Sequence, residues 1–323
     1  MNNPAIAFLF PGQGSQAVGM GKDLSDRYPV ARQTFEEADE ALGTKLAQLC
    51  FEGPEDELRL TENTQPAILT VSVAAWRVLQ AKDTGVRPAF VAGHSLGEYS
   101  AHVAAGTITF PDAVRAVRNR GKYMQEAVPV GTGAMAAILG LDFDAVGVVC
   151  GDAAQGEVCE PANINSPEQI VISGHAAAVE RAVKLADERG AKRAKLLPVS
   201  APFHCSLMKP AQERLSVDLQ GLQFSAPQIP VVCNVYGRPV EDAESAREAL
   251  VRQVTGSVKW SESVQLLIAR GVQTFVEVGP GKVLCGLMRQ IDRSKKCLNI
   301  EDEASLQKTI EFFAANAVVA ESQ

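Results

Sequence analysis

The sequence predicts an α/β fold with a large parallel-sheet body and a small inserted subdomain. Continuous short apolar runs suit strands of a parallel sheet that is covered on both faces. These runs occupy residues 5–10, 89–93, 229–235 and 274–279. Helical patterns separate the runs, as is typical of α/β proteins. They cover residues 66–81, 95–105 and 111–127.

Turn residues mark the ends of these elements in chain order. The first strand meets Pro11 and Gly12, which end it. The helix that starts near residue 95 stops at Gly106, and the next helix opens with Pro111. Glycine just after a helix and proline in its first turn are the usual boundary residues.

The pattern changes between residues 129 and 199. In order, this segment reads as strand, helix, strand, strand, helix, strand, which is the ferredoxin-like split βαβ order. We therefore expect a body of residues 1–128 and 200–323 around a small subdomain of residues 129–199. The cleft between the two units is the expected ligand site.

Composition and charge exclude several classes of protein. The net charge of −7 disfavours nucleic acid as a partner, and no apolar run approaches the roughly 20 residues that cross a bilayer. We expect a cytoplasmic protein without a membrane partner. The seven cysteines form no CxxC pair and the histidines no HExxH motif, so we expect neither a structural disulfide nor a metal site.

A GxSxG motif, GHSLG, occupies residues 93–97 between an apolar run and a helical pattern. This context predicts a nucleophile elbow, in which Ser95 sits on a tight strand-to-helix turn. Only small residues fit beside such a turn, which explains Gly93 and Gly97. The motif gives the body an α/β-hydrolase-like character.

A serine nucleophile needs a base, and histidine is the usual one near neutral pH. His94 is adjacent to Ser95 and expected to point elsewhere, while His102 lies about 10 Å along the same helix. His175 follows a strand and suits a turn or a helix cap. Elimination leaves His204, in a proline-punctuated loop. Spacing identifies no acid to orient the histidine.

Six blocks of the sequence resemble the malonyl-CoA:acyl carrier protein transacylase family, in the family's order and across nearly the whole chain. They are FPGQGSQAVGMG at 10–21, GHSLGEYSA at 93–101, RNRGKYMQEAVPVGTGAMAAILG at 118–140, NINSPEQIVISG at 163–174, APFHCSLM at 201–208 and VEVGPGKVL at 276–284. One departure is Ser257, where relatives often carry proline.

The resemblance implies roles for individual residues. It implies Ser95 as nucleophile and His204 as base, with the main-chain carbonyl of Gln253 orienting the imidazole. It also implies an oxyanion hole from the backbone N–H groups of Gln13 and Leu96. Such donors meet charge that develops only in the tetrahedral state.

The resemblance further implies three substrate-binding residues. Arg120 matches the family's carboxylate-binding arginine, and a guanidinium can grip a malonyl carboxylate with two parallel hydrogen bonds. Phe203 resembles the residue that favours malonyl over methylmalonyl groups by narrowing the pocket. Asn163 matches a position near the family's site.

The implied activity is ping-pong transfer of malonyl from malonyl-CoA to the phosphopantetheine thiol of acyl carrier protein. No cofactor is implied beyond the coenzyme A thioester substrate, and we expect a monomer. Acidic carrier proteins would meet a basic face, for which the sequence offers two clusters. The clusters are Lys192, Arg193 and Lys195, and Arg289, Arg293, Lys295 and Lys296.

Other functions are compatible with parts of the same sequence. A stand-alone malonyl acyltransferase of a polyketide pathway would share the same motifs, and a serine thioesterase or esterase would share the elbow. FPGQGSQA and GTGAMA resemble dinucleotide fingerprints but lack an acidic residue about 20 positions on. A non-catalytic relative is disfavoured by the intact Ser95 and His204.

Overall fold

The structure, a computed structural model, describes residues 5–199 and 201–321. Its first part alternates two strands with seven helices. These are β1 (Ala5–Phe10), α1 (Lys22–Arg27), α2 (Pro29–Leu42), α3 (Leu46–Glu52), α4 (Glu55–Leu58), α5 (Thr61–Ala81), β2 (Phe90–Gly93), α6 (Gly97–Ala104) and α7 (Phe110–Glu126). Helix α5 begins before the predicted residue 66, and Pro66 lies inside it.

The middle of the chain has the βαββαβ order expected from the sequence. It comprises β3 (Gly133–Leu139), α8 (Phe143–Ala154), β4 (Cys159–Ser166), β5 (Gln169–His175), α9 (Ala176–Glu188) and β6 (Arg193–Leu196). The four strands form an antiparallel sheet in the order β4-β5-β3-β6. Ile138, Val149 and Ile170 belong to a separate hydrophobic core between this sheet and its helices.

The last part returns to the larger sheet. After a 3₁₀ turn at Ser206–Met208 it comprises α10 (Lys209–Gln220), β7 (Val231–Cys233), β8 (Arg238–Val240), α11 (Ala243–Gln253), α12 (Trp260–Ala269), β9 (Val272–Val278), α13 (Val283–Ile291), β10 (Lys296–Ile300) and α14 (Glu303–Glu321). The larger sheet has the order β10-β9-β1-β2-β7-β8. Its strands are parallel except β8, which pairs antiparallel with β7 at the edge.

Strand β1 shows why the predicted strands read as continuous apolar runs. Phe8 and Phe10 point into the core on one face of the sheet, while Ala7 and Leu9 point into the core on the other. Because successive side chains alternate between two buried faces, every position is apolar. The prediction of a sheet with parallel strands and two covered faces is confirmed, with antiparallel β8 at its edge.

Glycines allow β1, β2 and α6 to approach closely around Ser95. A Cβ atom on Gly97 would overlap the carbonyl oxygen of Phe10, and one on Gly93 would overlap the carbonyl oxygen of Gly97. A Cβ atom on Gly12 would overlap the carbonyl oxygen of His94. The turn therefore requires glycine on both sides.

Strand β4 joins the antiparallel sheet to the body. Val258 donates to the carbonyl of Ala162 and accepts from the N–H of Ile164, at 2.8 and 2.9 Å. Ser257 Oγ donates to the carbonyl of Pro161 at 2.6 Å, a bond that proline could not make. The departure at Ser257 thus adds a contact along this junction.

The expectation of no structural disulfide is wrong. Cys285 on α13 and Cys297 on β10 form a disulfide, with Cα atoms 5.5 Å apart. The tertiary fold lays the helix against the strand and brings the two thiols together, which their spacing in sequence does not indicate. The other cysteines are free and buried. Within the described ranges, the helices are too short or too polar to cross a membrane.

We expect Gly97→Ala to lower the free energy of unfolding by about 1–3 kcal/mol or more, because the new methyl group must displace backbone atoms. Urea unfolding followed by circular dichroism measures the change. Gly147→Ala is the matched control, since Gly147 lies in α8 with open space around its Cα. Alanine there should stabilise the helix slightly. Equal stability of Gly97→Ala and the wild type would contradict the tight turn.

Candidate active site

Ser95 lies between β2 and α6 in a left-handed backbone conformation, with φ of 51°. A non-glycine residue rarely adopts this conformation unless its surroundings hold it there. The Ser95 N–H donates to Asn234 Oδ1 at 2.7 Å, and Asn234 Nδ2 donates to the carbonyl of Gly93 at 2.7 Å. Asn234, just after β7, therefore holds both sides of the turn.

His204 reaches Ser95 from the loop that follows the antiparallel sheet. Its Nε2 lies 2.7 Å from Ser95 Oγ, and its Nδ1 lies 2.9 Å from the carbonyl oxygen of Gln253. A carbonyl only accepts, so Nδ1 must carry the ring proton. Nε2 is then free to accept a proton from the Ser95 hydroxyl.

The environment of His204 keeps its imidazole neutral. Burial, and after it the positive charge of Arg120, lowers the pKa of His204 to about 3. A neutral imidazole is the form that acts as a base. The hydrogen bond to the Gln253 carbonyl opposes this shift.

Arg120 extends from α7 and is 2% exposed. One guanidinium nitrogen donates to Ser95 Oγ at 3.1 Å and to Gln253 Oε1 at 2.9 Å, and another donates to Gln65 Oε1 at 2.7 Å. These acceptors are all neutral, and no carboxylate of the described residues lies within ion-pair distance of Arg120. Burial lowers the pKa of Arg120, but a guanidinium keeps its charge.

A cavity of about 130 Å³ opens between these groups. Gln13 lies in its wall, and Leu96 is the residue before the first turn of α6, so its N–H has no partner within the helix. Phe203 adds an apolar surface and is 8% exposed. Asn163 contributes a buried Oδ1 that has no hydrogen-bond partner among the described residues.

The structure brings together the residues that the sequence and the resemblance indicated for the site, with Leu96 beside Ser95 at the start of α6. Those that line the cavity are Ser95, His204, Arg120, Gln13, Asn163 and Phe203, with the Gln253 carbonyl behind the imidazole. For a metal ion, the described residues offer no cluster of three or more suitable side chains.

The other histidines differ from one another in position. His94 points away from the Ser95 hydroxyl, as expected: its Nε2 lies 2.8 Å from Asn165 Oδ1 on β4, and its ring lines another part of the cavity. His102 is fully buried on α6, where burial lowers its pKa to about 3. His175 occupies the position before α9, and its Nδ1 accepts from the N–H of Val158.

Sequence reasoning missed three polar residues next to the site. Asn234 follows the carboxyl end of a strand, where parallel sheets carry functional residues. This position could have predicted that Asn234 belongs to the site. Glu98 lies in the first turn of the helix after Ser95 and is fully buried. Gln65 lies within α5 and gives no local signal.

Comparison with known proteins gives one consistent result. Residues 7–315 match the family described as acyl transferase domain. A malonyl CoA-acyl carrier protein transacylase of Salmonella typhimurium is 52% identical over 305 residues, covering 94% of this chain and 98% of that protein. The transacylase structure from Coxiella burnetii has a TM-score of 0.94 at 44% identity, covering 96% of this chain and 98% of that one.

A further similar structure is a complex. It contains a type II PKS acyl-carrier protein bound to its malonyl-transacylase. The match has a TM-score of 0.93 at 50% identity and covers 95% of this chain and 99% of that one.

We expect a fluorophosphonate probe to label Ser95 at a rate that stays constant as the pH falls from about 8 to about 5. His204 remains neutral over this range because burial lowers its pKa from the ordinary value of about 6.5 to about 3. Mass spectrometry of the labelled chain measures the rate. His204→Ala should slow it by about 10²–10⁴-fold. A wild-type labelling rate that falls on acidification with a midpoint near pH 6.5 would mean that the pKa of His204 is not lowered.

Proposed function

The chain belongs to the acyl transferase domain family and, within it, to the malonyl CoA-acyl carrier protein transacylases, and we propose that it moves malonyl groups from coenzyme A to acyl carrier protein. The observation that carries the proposal is the position of Arg120. Its buried guanidinium donates to the hydroxyl of Ser95, and its protein acceptors are neutral. A nucleophile beside a buried cation suits an acyl group with its own carboxylate.

In the first half-reaction, Ser95 Oγ attacks the thioester carbonyl while His204 Nε2 takes the hydroxyl proton. The tetrahedral intermediate collapses, the C–S bond breaks, and His204 returns the proton to the thiolate of coenzyme A. The Gln253 carbonyl holds the ring proton on Nδ1 throughout, in place of a carboxylate. The 2.7 Å contact between Ser95 and His204 supports this assignment.

The second half-reaction reverses these roles. The phosphopantetheine thiol of the carrier protein gives its proton to His204 and attacks the malonyl ester. Collapse of the new tetrahedral intermediate returns the proton to Ser95 Oγ and releases malonyl-carrier protein. Backbone N–H groups of Gln13 and Leu96 stabilise the oxyanion in both halves, and the cavity wall and the start of α6 are the supporting observations.

Specificity rests on the remaining residues of the cavity. Arg120 grips the malonyl carboxylate with two guanidinium nitrogens. Phe203 limits the space beside the α-carbon and disfavours a methyl branch by about 1–3 kcal/mol. Asn163 offers its unpartnered Oδ1 to a donor on the substrate.

We also propose a division of the chain into two units. We divide the chain into an α/β-hydrolase-like body of residues 1–128 and 200–323 and a ferredoxin-like subdomain of residues 129–199. The separate antiparallel sheet and its own core support this division. A monomeric state, a cytoplasmic location and the absence of a cofactor stay predictions.

A polyketide pathway is a second candidate setting for the same reaction. One similar structure pairs a malonyl-transacylase with a type II PKS carrier protein, and this observation favours the alternative. Carrier proteins of both pathways present the same phosphopantetheine thiol. The chemistry proposed above therefore applies to either.

We expect Ser95→Ala to abolish covalent labelling by malonyl-CoA, because no other residue forms the ester. Intact-protein mass spectrometry after brief mixing measures the malonyl adduct on the wild type. Addition of carrier protein should then discharge the adduct much faster than water does. Discharge at the same rate by water alone would indicate a thioesterase, and an adduct on Ser95→Ala would refute the nucleophile.

We expect Arg120→Ala to reduce kcat/KM for malonyl transfer by about 10–100-fold and to spare acetyl transfer, because only malonyl has a carboxylate. Arg115→Ala is the matched control, since Arg115 lies on the same helix in an exposed ion pair with Asp112. Steady-state rates with both thioesters measure the difference. Equal losses for malonyl and acetyl would remove the carboxylate-binding role.

A further inference from the structure

Glu98 is a buried acid next to the active site that the mechanism above does not use. It lies in the first turn of α6, fully buried. One of its oxygens, Oε2, accepts two hydrogen bonds of 2.8 Å, from the backbone N–H of Asn234 and from Gln253 Nε2. Both of these residues contact the catalytic groups directly.

We propose that Glu98 is a positioning residue, whose Oε2 orients Gln253 and Asn234 and through them holds Ser95 and Arg120 in place. The role in acyl transfer rests on the proposed function. The orientation of the nucleophile does not depend on which acyl group is transferred.

The Gln253 amide has its orientation fixed from both ends. Its Oε1 must face Arg120, because a guanidinium only donates, and its Nε2 faces the acceptor Glu98. Nε2 also donates to the carbonyl of Ser95 at 2.9 Å. Without Oε2 of Glu98, Nε2 keeps only the Ser95 carbonyl as a close acceptor, and the amide is held less firmly with its oxygen on Arg120.

Asn234 carries the second connection to the nucleophile. Glu98 fixes the Asn234 backbone, and Asn234 Oδ1 accepts the N–H of Ser95. This bond supports the left-handed conformation of Ser95. A shift of Asn234 therefore moves the hydroxyl relative to His204.

Position, and not charge, is what Glu98 supplies. Burial raises the pKa of Glu98 to about 7, opposed by its hydrogen bonds and by Arg120. His102, Tyr99 and Cys233 also lie near it, and Oε1 is 3.9 Å from His102 Nε2 without a hydrogen-bond partner in the described chain. A proton on Oε1 leaves Oε2 able to accept both bonds.

Two variants of the full chain separate position from charge. Glu98→Gln keeps an acceptor oxygen at the same distance but removes the charge, whereas Glu98→Asp keeps the charge and withdraws the oxygen by one methylene. We expect Glu98→Gln to label with fluorophosphonate within about threefold of the wild-type rate. We expect Glu98→Asp to label about 10–100-fold more slowly, because small misplacements of reacting groups are costly.

Acyl transfer gives a second readout from the same variants. Glu98→Asp should lower the preference for malonyl over acetyl, because the Gln253 oxygen no longer orients Arg120. If Glu98→Asp reacts slowly with fluorophosphonate but keeps its preference for malonyl over acetyl, the result would count against the proposed substrate. If Glu98→Asp reacts with fluorophosphonate at the wild-type rate, the result would count against the positioning role.

Glu277→Asp is the matched control. Glu277 is also a fully buried acid that accepts two backbone N–H groups, from Leu284 and Cys285, at 3.0 and 2.8 Å. Glu277→Asp should lower the free energy of unfolding and leave the rate of fluorophosphonate labelling unchanged. An equal slowing by Glu277→Asp would mean that Glu98 acts only through stability.

Two other outcomes overturn the proposal. Slow labelling of Glu98→Gln with normal labelling of Glu98→Asp would show that the charge matters instead of the position. If Glu98→Asp does not fold, Asn234→Ala replaces it, since Asn234 connects Glu98 to the Ser95 N–H. A labelling rate of Asn234→Ala within about threefold of the wild type would then refute the connection.

Discussion

The active site depends on a chain of hydrogen bonds that joins Ser95, His204, Gln253, Arg120 and Glu98. Ser95 Oγ meets His204, His204 meets the Gln253 carbonyl, and the Gln253 side chain meets both Arg120 and Glu98. An unpaired polar group in such surroundings costs about 1–3 kcal/mol. The pairing therefore selects one arrangement of the side chains over its alternatives.

The same burial sets the electrostatics of the site. Burial lowers the pKa of His204 to about 3 and raises that of Glu98 to about 7, so burial shifts both groups toward their neutral forms. Arg120 retains its charge because a guanidinium is protonated even when buried. Its carbonyl and hydroxyl acceptors compensate the cation only partly, and an anionic acyl group would complete the compensation. The lasting positive charge of the site therefore belongs to Arg120.

Strand β4 couples the smaller sheet to the site. Asn163 lies in the cavity wall while its neighbours pair with Val258, and Asn165 holds His94. The loop carrying His204 leaves the same sheet. The positions of Asn163 and His204 in the cavity therefore depend on how this sheet packs against the body. Ser257 adds a hydrogen bond to that contact.

The sequence by itself determined the α/β order of the main elements and the tight turn at Ser95. Local patterns carry this information: alternating apolar strands and helices give the α/β order, and GHSLG between a strand and a helix gives the elbow, since the turn excludes any Cβ at Gly93 and Gly97. Elimination pointed to His204, and resemblance in six blocks added Gln13, Leu96, Arg120, Asn163, Phe203 and Gln253 as predicted site residues.

Only the tertiary structure decided which distant groups meet. Glu98 reads as an ordinary helical acid, Asn234 as a residue after a strand, and Cys285 and Cys297 as unrelated thiols. Their roles arise from packing between elements far apart in the chain, as in the 139 residues that separate Ser95 from Asn234. Burial and partner geometry do not appear in local periodicity, because they depend on which helices and strands pack together.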